Sequence, residues 1–306
     1  MFRQNDIILL AVIFLSMLAG ILFPDFSSVF QPYLLYLMMF LLFLSFLPIK
    51  IGSIWHSVRH DSRTVLWILF IKLIILPVVI YYIFIIFYPS YALAALLLTG
   101  ISTGVVAPFI SGLLNANSIL VLVIVVISSL IVPFSLPILV HILAGHKIEI
   151  SFLGMMQMLC IVIFVPIITV NLLRYMAPVL LDRIMKKRFP ISLIIFAIIN
   201  LGVFSKYSGF FFNNPEIIIE ATVIALLLGS IYVIAGIIVQ WNSTAANQIA
   251  ASIAFGNMNN VLVIVFSSQF FGPIEPTLAA MYMIPFFGLI FPLRAYQRYR
   301  EQESDI

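Results

Sequence analysis

The chain has 306 residues, of which 64% are hydrophobic and only 8% charged, with a mean hydropathy of +1.23. That composition excludes a water-soluble globule, because too little polar surface is left to cover one. The excess of 15 Lys and Arg over 11 Asp and Glu accompanies apolar runs longer than the roughly 20 residues that cross a bilayer, so it reads as membrane topology and argues against nucleic-acid binding.

In chain order, ten apolar spans are expected at about 5–23, 32–49, 64–88, 91–113, 117–144, 150–173, 189–206, 216–240, 244–271 and 276–293. Short loops leave no room for a soluble domain, so the expectation is one all-α integral membrane domain over residues 1–306. "MFRQND" precedes a run of spanning length without a small-residue cleavage site, which reads as a retained first helix. After span two, "IKIGSIWHSVRHDSR" spaces His56 and His60 four apart. With no third ligand in reach, this reads as an interfacial turn anchored by Trp55 and not as a metal face. The single cysteine, Cys160, falls in span six and excludes an intrachain disulfide.

Alternate loops divide the basic residues. Arg3, Lys50, Arg59, Arg63, Arg174, Arg183, Lys186, Lys187, Arg188, Arg294, Arg298 and Arg300 fall on one side, and only Lys147 and Lys206 on the other. The positive-inside rule then puts both termini in the cytoplasm, with the plasma (inner) membrane as the expected location. No nucleophile elbow, HExxH or phosphate-binding glycine loop occurs, which argues against an enzyme. No filter or pore-lining ring points to a channel, and no cofactor or metal is expected.

Splitting ten spans after the fifth gives halves of opposite orientation, residues 1–145 (spans one to five) and 146–306 (spans six to ten), a 5+5 inverted repeat. Spans five and ten each carry a double-proline motif, "VPFSLPIL" and "IPFFGLIFPL". Spans four and nine carry "TGISTGVVAPF" and "AASIAFGNMNN", in which Gly100, Gly104 and Pro108, and then Gly256, resist a continuous helix. Gly104 falls about 20 Å into its span and Gly256 about 18 Å into its own, so both breaks are expected to cross near the midplane. Interruptions at matching positions of inverted halves point to the site of a secondary transporter, whereas small residues alone point only to close packing. Ser102, Thr103, Asn257, Asn259 and Asn260 flank the breaks, where they can line a substrate or satisfy freed backbone groups. Glu220 reads as the only acid well inside an apolar span, and as an outer-vestibule residue.

"GISTGVVAPFISGLLNANSILVLVIVVISSLIVPFSLPILVHILAG" (Gly100 to Gly145), "FGNMNNVLVIVFSSQFFGP" (Phe255 to Pro273) and "IKLIILPVV" (Ile71 to Val79) resemble the fourth and fifth, ninth and third helices of the bile acid:sodium symporter family. The resemblance implies a core of spans three, four, five, eight, nine and ten moving against a panel of spans one, two, six and seven, with substrate in the cleft between. Gln157, Asn171 and Asn200, on spans six and seven, are then panel-side substrate candidates, although interhelical hydrogen bonding is their commoner use.

Carried over residue by residue, the resemblance loses its sodium ligands. The family's helix-nine glutamate and glutamine fall on Ala254 and Met258, its helix-four serine–asparagine pair on Ala107 and Pro108, and its helix-five hydroxyls on Val121 and Val125. Its helix-three glutamine falls on Lys72, about 12 Å into span three. An ammonium at that depth marks an ion or proton path by default. The expectation is that it stands in for sodium, held by carbonyls and helix C-terminal ends, in a proton-coupled or facilitative carrier. The alternatives are a sodium symporter using backbone ligands, or a membrane sensor or receptor on a transporter scaffold. Half-helix N-termini with Lys72 suit a small organic anion. Span four has no thiol, which sets aside the family's arsenite exporters. The expected partners are that small molecule and the lipid bilayer, with no nucleic acid, for a monomeric protein.

Overall fold

A computed structural model describes residues 4–49, 62–145 and 151–304. Trp55, His56 and His60 lie outside the described residues, as do Arg3, Lys50, Arg59 and Lys147. Helices account for all the regular structure among them, apart from one isolated antiparallel bridge, Thr103 to Met258. Among the described residues seven helical stretches are long and apolar enough to cross a membrane, from Pro24–Phe46 to Ile274–Arg300. The stretches expected as spans one, four and nine are not among the seven; four and nine are each divided into two helices too short to cross alone.

The order is α1 (Gln4–Leu22), α2 (Pro24–Ser28), α3 (Leu34–Phe46), α4 (Ser62–Phe70), α5 (Leu76–Phe87), α6 (Ala92–Gly100), α7 (Ala107–Leu113), α8 (Ser118–Ala144) and α9 (Phe152–Met176). It continues with α10 (Pro178–Lys186), α11 (Arg188–Ser205), α12 (Ser208–Asn213), α13 (Glu216–Val239), α14 (Ala245–Gly256), α15 (Asn260–Phe270), α16 (Ile274–Met281), α17 (Met283–Gly288) and α18 (Ile290–Ser304). A π-helical turn, Ile71–Ile75, joins α4 to α5. It lies just before Pro77, whose ring clashes with the Leu73 carbonyl of a regular helix, and the Leu76 amide reaches back to Ile71 instead.

Packing sorts the helices into two groups. α1 lies along α11, and α3 packs on α9 and α11. The other group joins α13 to α14 and α16, α5 to α6, α15 to α16, and α8 to α7 and α14. Gly236 on α13 rests against the backbone of Ser252 on α14, a contact no larger residue permits. The groups meet where α8 contacts α9 and where α15 contacts α3 and α11. Arg174 of α9 donates to the carbonyls of Leu47 and Ile49 at 2.9 and 3.0 Å, satisfying the end of α3 with a cation.

Candidate functional site

The two broken helices meet through their backbones. α6 ends at Gly100, Ile101 is extended (φ −74°, ψ 162°), and α14 ends at Gly256 before Asn257 (φ −95°, ψ 78°). The Gly104 amide donates to the Asn257 carbonyl at 2.7 Å and the Asn259 amide to the Ser102 carbonyl at 3.0 Å, forming the Thr103–Met258 bridge. Unwound peptide in an apolar interior must find such partners. Gly104 is required here by proximity: a Cβ would stand 2.8 Å from the Met258 carbonyl oxygen.

Side chains complete this accounting. Thr103 donates its hydroxyl to the Ala254 carbonyl at 2.8 Å and its amide to Ser128 at 3.1 Å. Tyr282 donates to the Gly256 carbonyl at 2.8 Å, and Thr99 pairs with Tyr232 at 2.6 Å. Asn257 donates to the Phe286 carbonyl at 3.0 Å, and Asn259 caps α15 by accepting from the Leu262 amide at 3.4 Å. Asn260 donates to the Met283 sulfur at 3.4 Å, while its Oδ1 and the Ser102 hydroxyl are buried without a partner among the described residues. Removing one of these caps leaves a buried carbonyl unsatisfied. Tyr282→Phe is therefore expected to destabilise the fold by about 1–3 kcal/mol, read as a lowered midpoint in thermal melts of the detergent-purified protein.

A cleft of about 710 Å³ opens between the two groups. Its floor is Gly104 to Val106 with Pro108, and Met258 to Val261, so the N-terminal ends of α7 and α15 both face it. Its walls are apolar faces of α3 and α11 with Met283 and Phe286, broken by the hydroxyl-bearing residues Ser45 and Ser192. Exposed Arg188 and Phe189 stand at the rim, where α11 begins. Arg188 is the one charged residue of the lining among the described residues.

Of the residues singled out from sequence, Gly104, Pro108, Asn259 and Asn260 line the cleft. Ser102, Thr103, Gly256 and Asn257 do not; they are buried in the joint behind it. Gln157 is exposed on α9, and Asn171, also exposed, donates to its own helix at the Ile167 carbonyl, 2.9 Å away. Asn200 is buried and donates to Ser16 of α1 at 3.2 Å. These three amides thus lie apart from the cleft lining.

Lys72 sits in the π turn, fully buried, with no hydrogen-bond partner for its ammonium among the described residues. The expected grip by carbonyls is absent. The carbonyls at the end of α14 are engaged elsewhere: Ala254 by Thr103, Gly256 by Tyr282 and Asn257 by Gly104. The ammonium instead faces the Phe255 ring, 6.0 Å from its centroid. It lies behind the cleft and does not line it, so the expected union of Lys72 with the half-helix N-termini in one site is not what the geometry gives. Of the positions that lost sodium ligands, Val121, Val125, Ala107, Ala254 and Met258 are buried and Pro108 is half-buried, and none brings a side-chain oxygen.

Sequence reasoning missed several participants. Ser45, Ser192 and Arg188 line the cleft, but Arg188 had been counted only as a topological charge. Tyr232 and Tyr282 were legible in principle, because a tyrosine inside an apolar run needs a partner for its hydroxyl. Glu220 is exposed and accepts from Tyr91 at 3.4 Å. A second acid, Glu275, is buried at the start of α16, its Oε2 without a partner among the described residues.

No curated protein matches the chain. The sequence profile of the Sodium Bile acid symporter family matches residues 32–213, more than half of the chain, and the protein therefore belongs to that family of membrane transporters, which are not enzymes.

Proposed function

We propose that the protein carries small organic anions by alternating access, the α1, α3, α9 and α11 group acting as a panel and the remaining spans as a moving core. In this reading ten spans form a 5+5 inverted repeat of residues 1–145 and 146–306, α6/α7 and α14/α15 cross at the midplane, and both termini are cytoplasmic. The cleft is then open to the cytoplasm. One observation carries the substrate class: the cleft sets two positive groups, the Arg188 guanidinium at its rim and the N-terminal end of α15 at its floor, against apolar walls that suit a hydrocarbon body, a pairing that fits a carboxylate with an apolar tail.

Coupling is assigned to Lys72. Among the described residues it is the only buried Lys or Arg, and it stands beside positions stripped of sodium ligands. A cation fixed to the chain removes the need for a metal cation, and an amine that exchanges a proton couples transport to the proton gradient. The test is uptake into proteoliposomes of a panel of organic carboxylates under imposed proton or sodium gradients, each in turn. Uptake driven by the proton gradient and indifferent to sodium is expected. A sodium-driven signal would overturn the coupling assignment, and absence of counterflow for every anion would overturn the carrier itself.

A further inference from the structure

The end of the boundary between the two helix groups opposite the cleft opening holds an unusual arrangement around exposed Lys206 and buried Ser268. α11 runs from Arg188, at the cleft rim, over 18 residues to Ser205, so its far end lies about 27 Å from the opening. There Lys206, the C-cap residue of α11, donates its ammonium to the Ser268 carbonyl in the last turn of α15, 2.7 Å away. Tyr207 donates its hydroxyl to the carbonyls of Ser268 and Phe271, 3.3 Å from each. The Lys206 ammonium also lies 5.3 Å from the centroid of the Tyr207 ring. Burial, and then the Glu275 carboxylate, push the Tyr207 hydroxyl up to about 12, so it remains a donor at physiological pH.

Two helix C-termini converge here, and each carries partial negative charge and unsatisfied carbonyls. The Lys206 ammonium, set at the end of α11, answers that of α15 at the Ser268 carbonyl. α11 forms one wall of the cleft, whereas α15 begins at its floor, so this contact ties the two groups together opposite the opening. Lys206 is also one of only two basic residues on the side that the positive-inside pattern leaves poor in charge, a place where topology gives it no role.

We infer that Lys206 and Tyr207 form the latch of the closed gate, holding the protein open at the Arg188 end by bridging the C-terminal ends of α11 and α15. This rests on the alternating-access reading, since a gate matters only if the cleft opens in turn to each side. Both residues are positioning residues and touch no substrate. Breaking the latch leaves two negative helix ends facing each other and releases the far side.

Two cysteine reporters in a Cys160→Ser background test this by reaction with a membrane-impermeant maleimide. Ser268→Cys reports the end opposite the opening; its native hydroxyl turns back to the Val265 carbonyl at 2.9 Å, so the substitution leaves the carbonyl that Lys206 uses. Ser192→Cys reports the cleft. Lys206→Met is expected to speed labelling at Ser268→Cys roughly tenfold and to slow it at Ser192→Cys, while Lys206→Arg keeps both rates near those of the parent. Unchanged rates at both reporters would overturn the latch. Faster labelling at both reports unfolding, and with a melting midpoint lowered to match it would equally overturn the gating role. Labelling needs no substrate, so reciprocal changes in a protein that shows no anion counterflow would uphold the latch while overturning the proposed anion carrier.

Discussion

Lys72→Met is expected to abolish the response of anion uptake to an imposed proton gradient while raising the thermal stability of the protein. Both effects follow from the same location. The ammonium is fully buried, faces the Phe255 ring and has no hydrogen-bond acceptor among the described residues. Isolated charge at membrane depth costs a few kcal/mol, and replacing buried ionic groups with apolar residues of similar volume often stabilises by about 1–4 kcal/mol. Methionine has nearly the length of the lysine stem and fills its space without the charge. On the proposed coupling the variant loses the cation that exchanges the proton, so uptake should fall to a rate set by the anion gradient alone. Lys72→Arg keeps the charge but holds its proton throughout, and should also lose the pH response, without the gain in stability. The measurement pairs a thermal melt with proteoliposome uptake across external pH 5.5 to 8, values chosen for the assay. A Lys72→Met protein whose uptake retains the parental pH dependence would exclude the lysine from coupling.

The helices were legible because hydrophobic run length is a strong signal in lipid, where each backbone group must be satisfied within its own segment. The breaks were legible for a related reason. Gly100, Gly104, Pro108 and Gly256 are costly inside a helix, so their clustering marks unwound chain in the sequence itself. What composition does not encode is which donor reaches which carbonyl. Lys72 was expected among the carbonyls at the end of α14, yet Thr103, Tyr282 and Gly104 take them first. Each of those pairings joins residues far apart in sequence, as in Thr103 to Ala254, and no local pattern signals them. The amides of spans six and seven mislead for a different reason. Helical periodicity gives the face of a residue only when one face is distinct, and apolar residues surround Asn171 and Asn200 on all sides of their helices. Arg188 was hidden by its double setting, since a charge at the end of an apolar run serves topology whether or not it also serves a ligand.

Arg188→Glu is expected to weaken anion binding from the open side by roughly tenfold at low ionic strength, with a much smaller loss at high salt. Arg188 is the only charged residue of the cleft lining among the described residues and stands exposed at the rim, so it acts on an approaching anion through water. Two unit charges about 4 Å apart in water interact by about 1 kcal/mol, and reversing one turns attraction into repulsion, a swing near 2 kcal/mol before screening. A contact of this kind alters capture more than the step that follows. KM measured from the open side should therefore rise with kcat nearly unchanged, and Arg188→Gln should give about half the effect in free energy. The floor behaves differently, because helix ends enclosed by the cleft are screened far less than a rim charge. Titration of the purified protein with an organic carboxylate at about 50 and 500 mM salt separates the two contributions. If Arg188→Glu weakened binding equally at both salts, the guanidinium would have to be a direct, desolvated ligand. If it changed neither KM nor affinity, the anion would be held at the cleft floor alone.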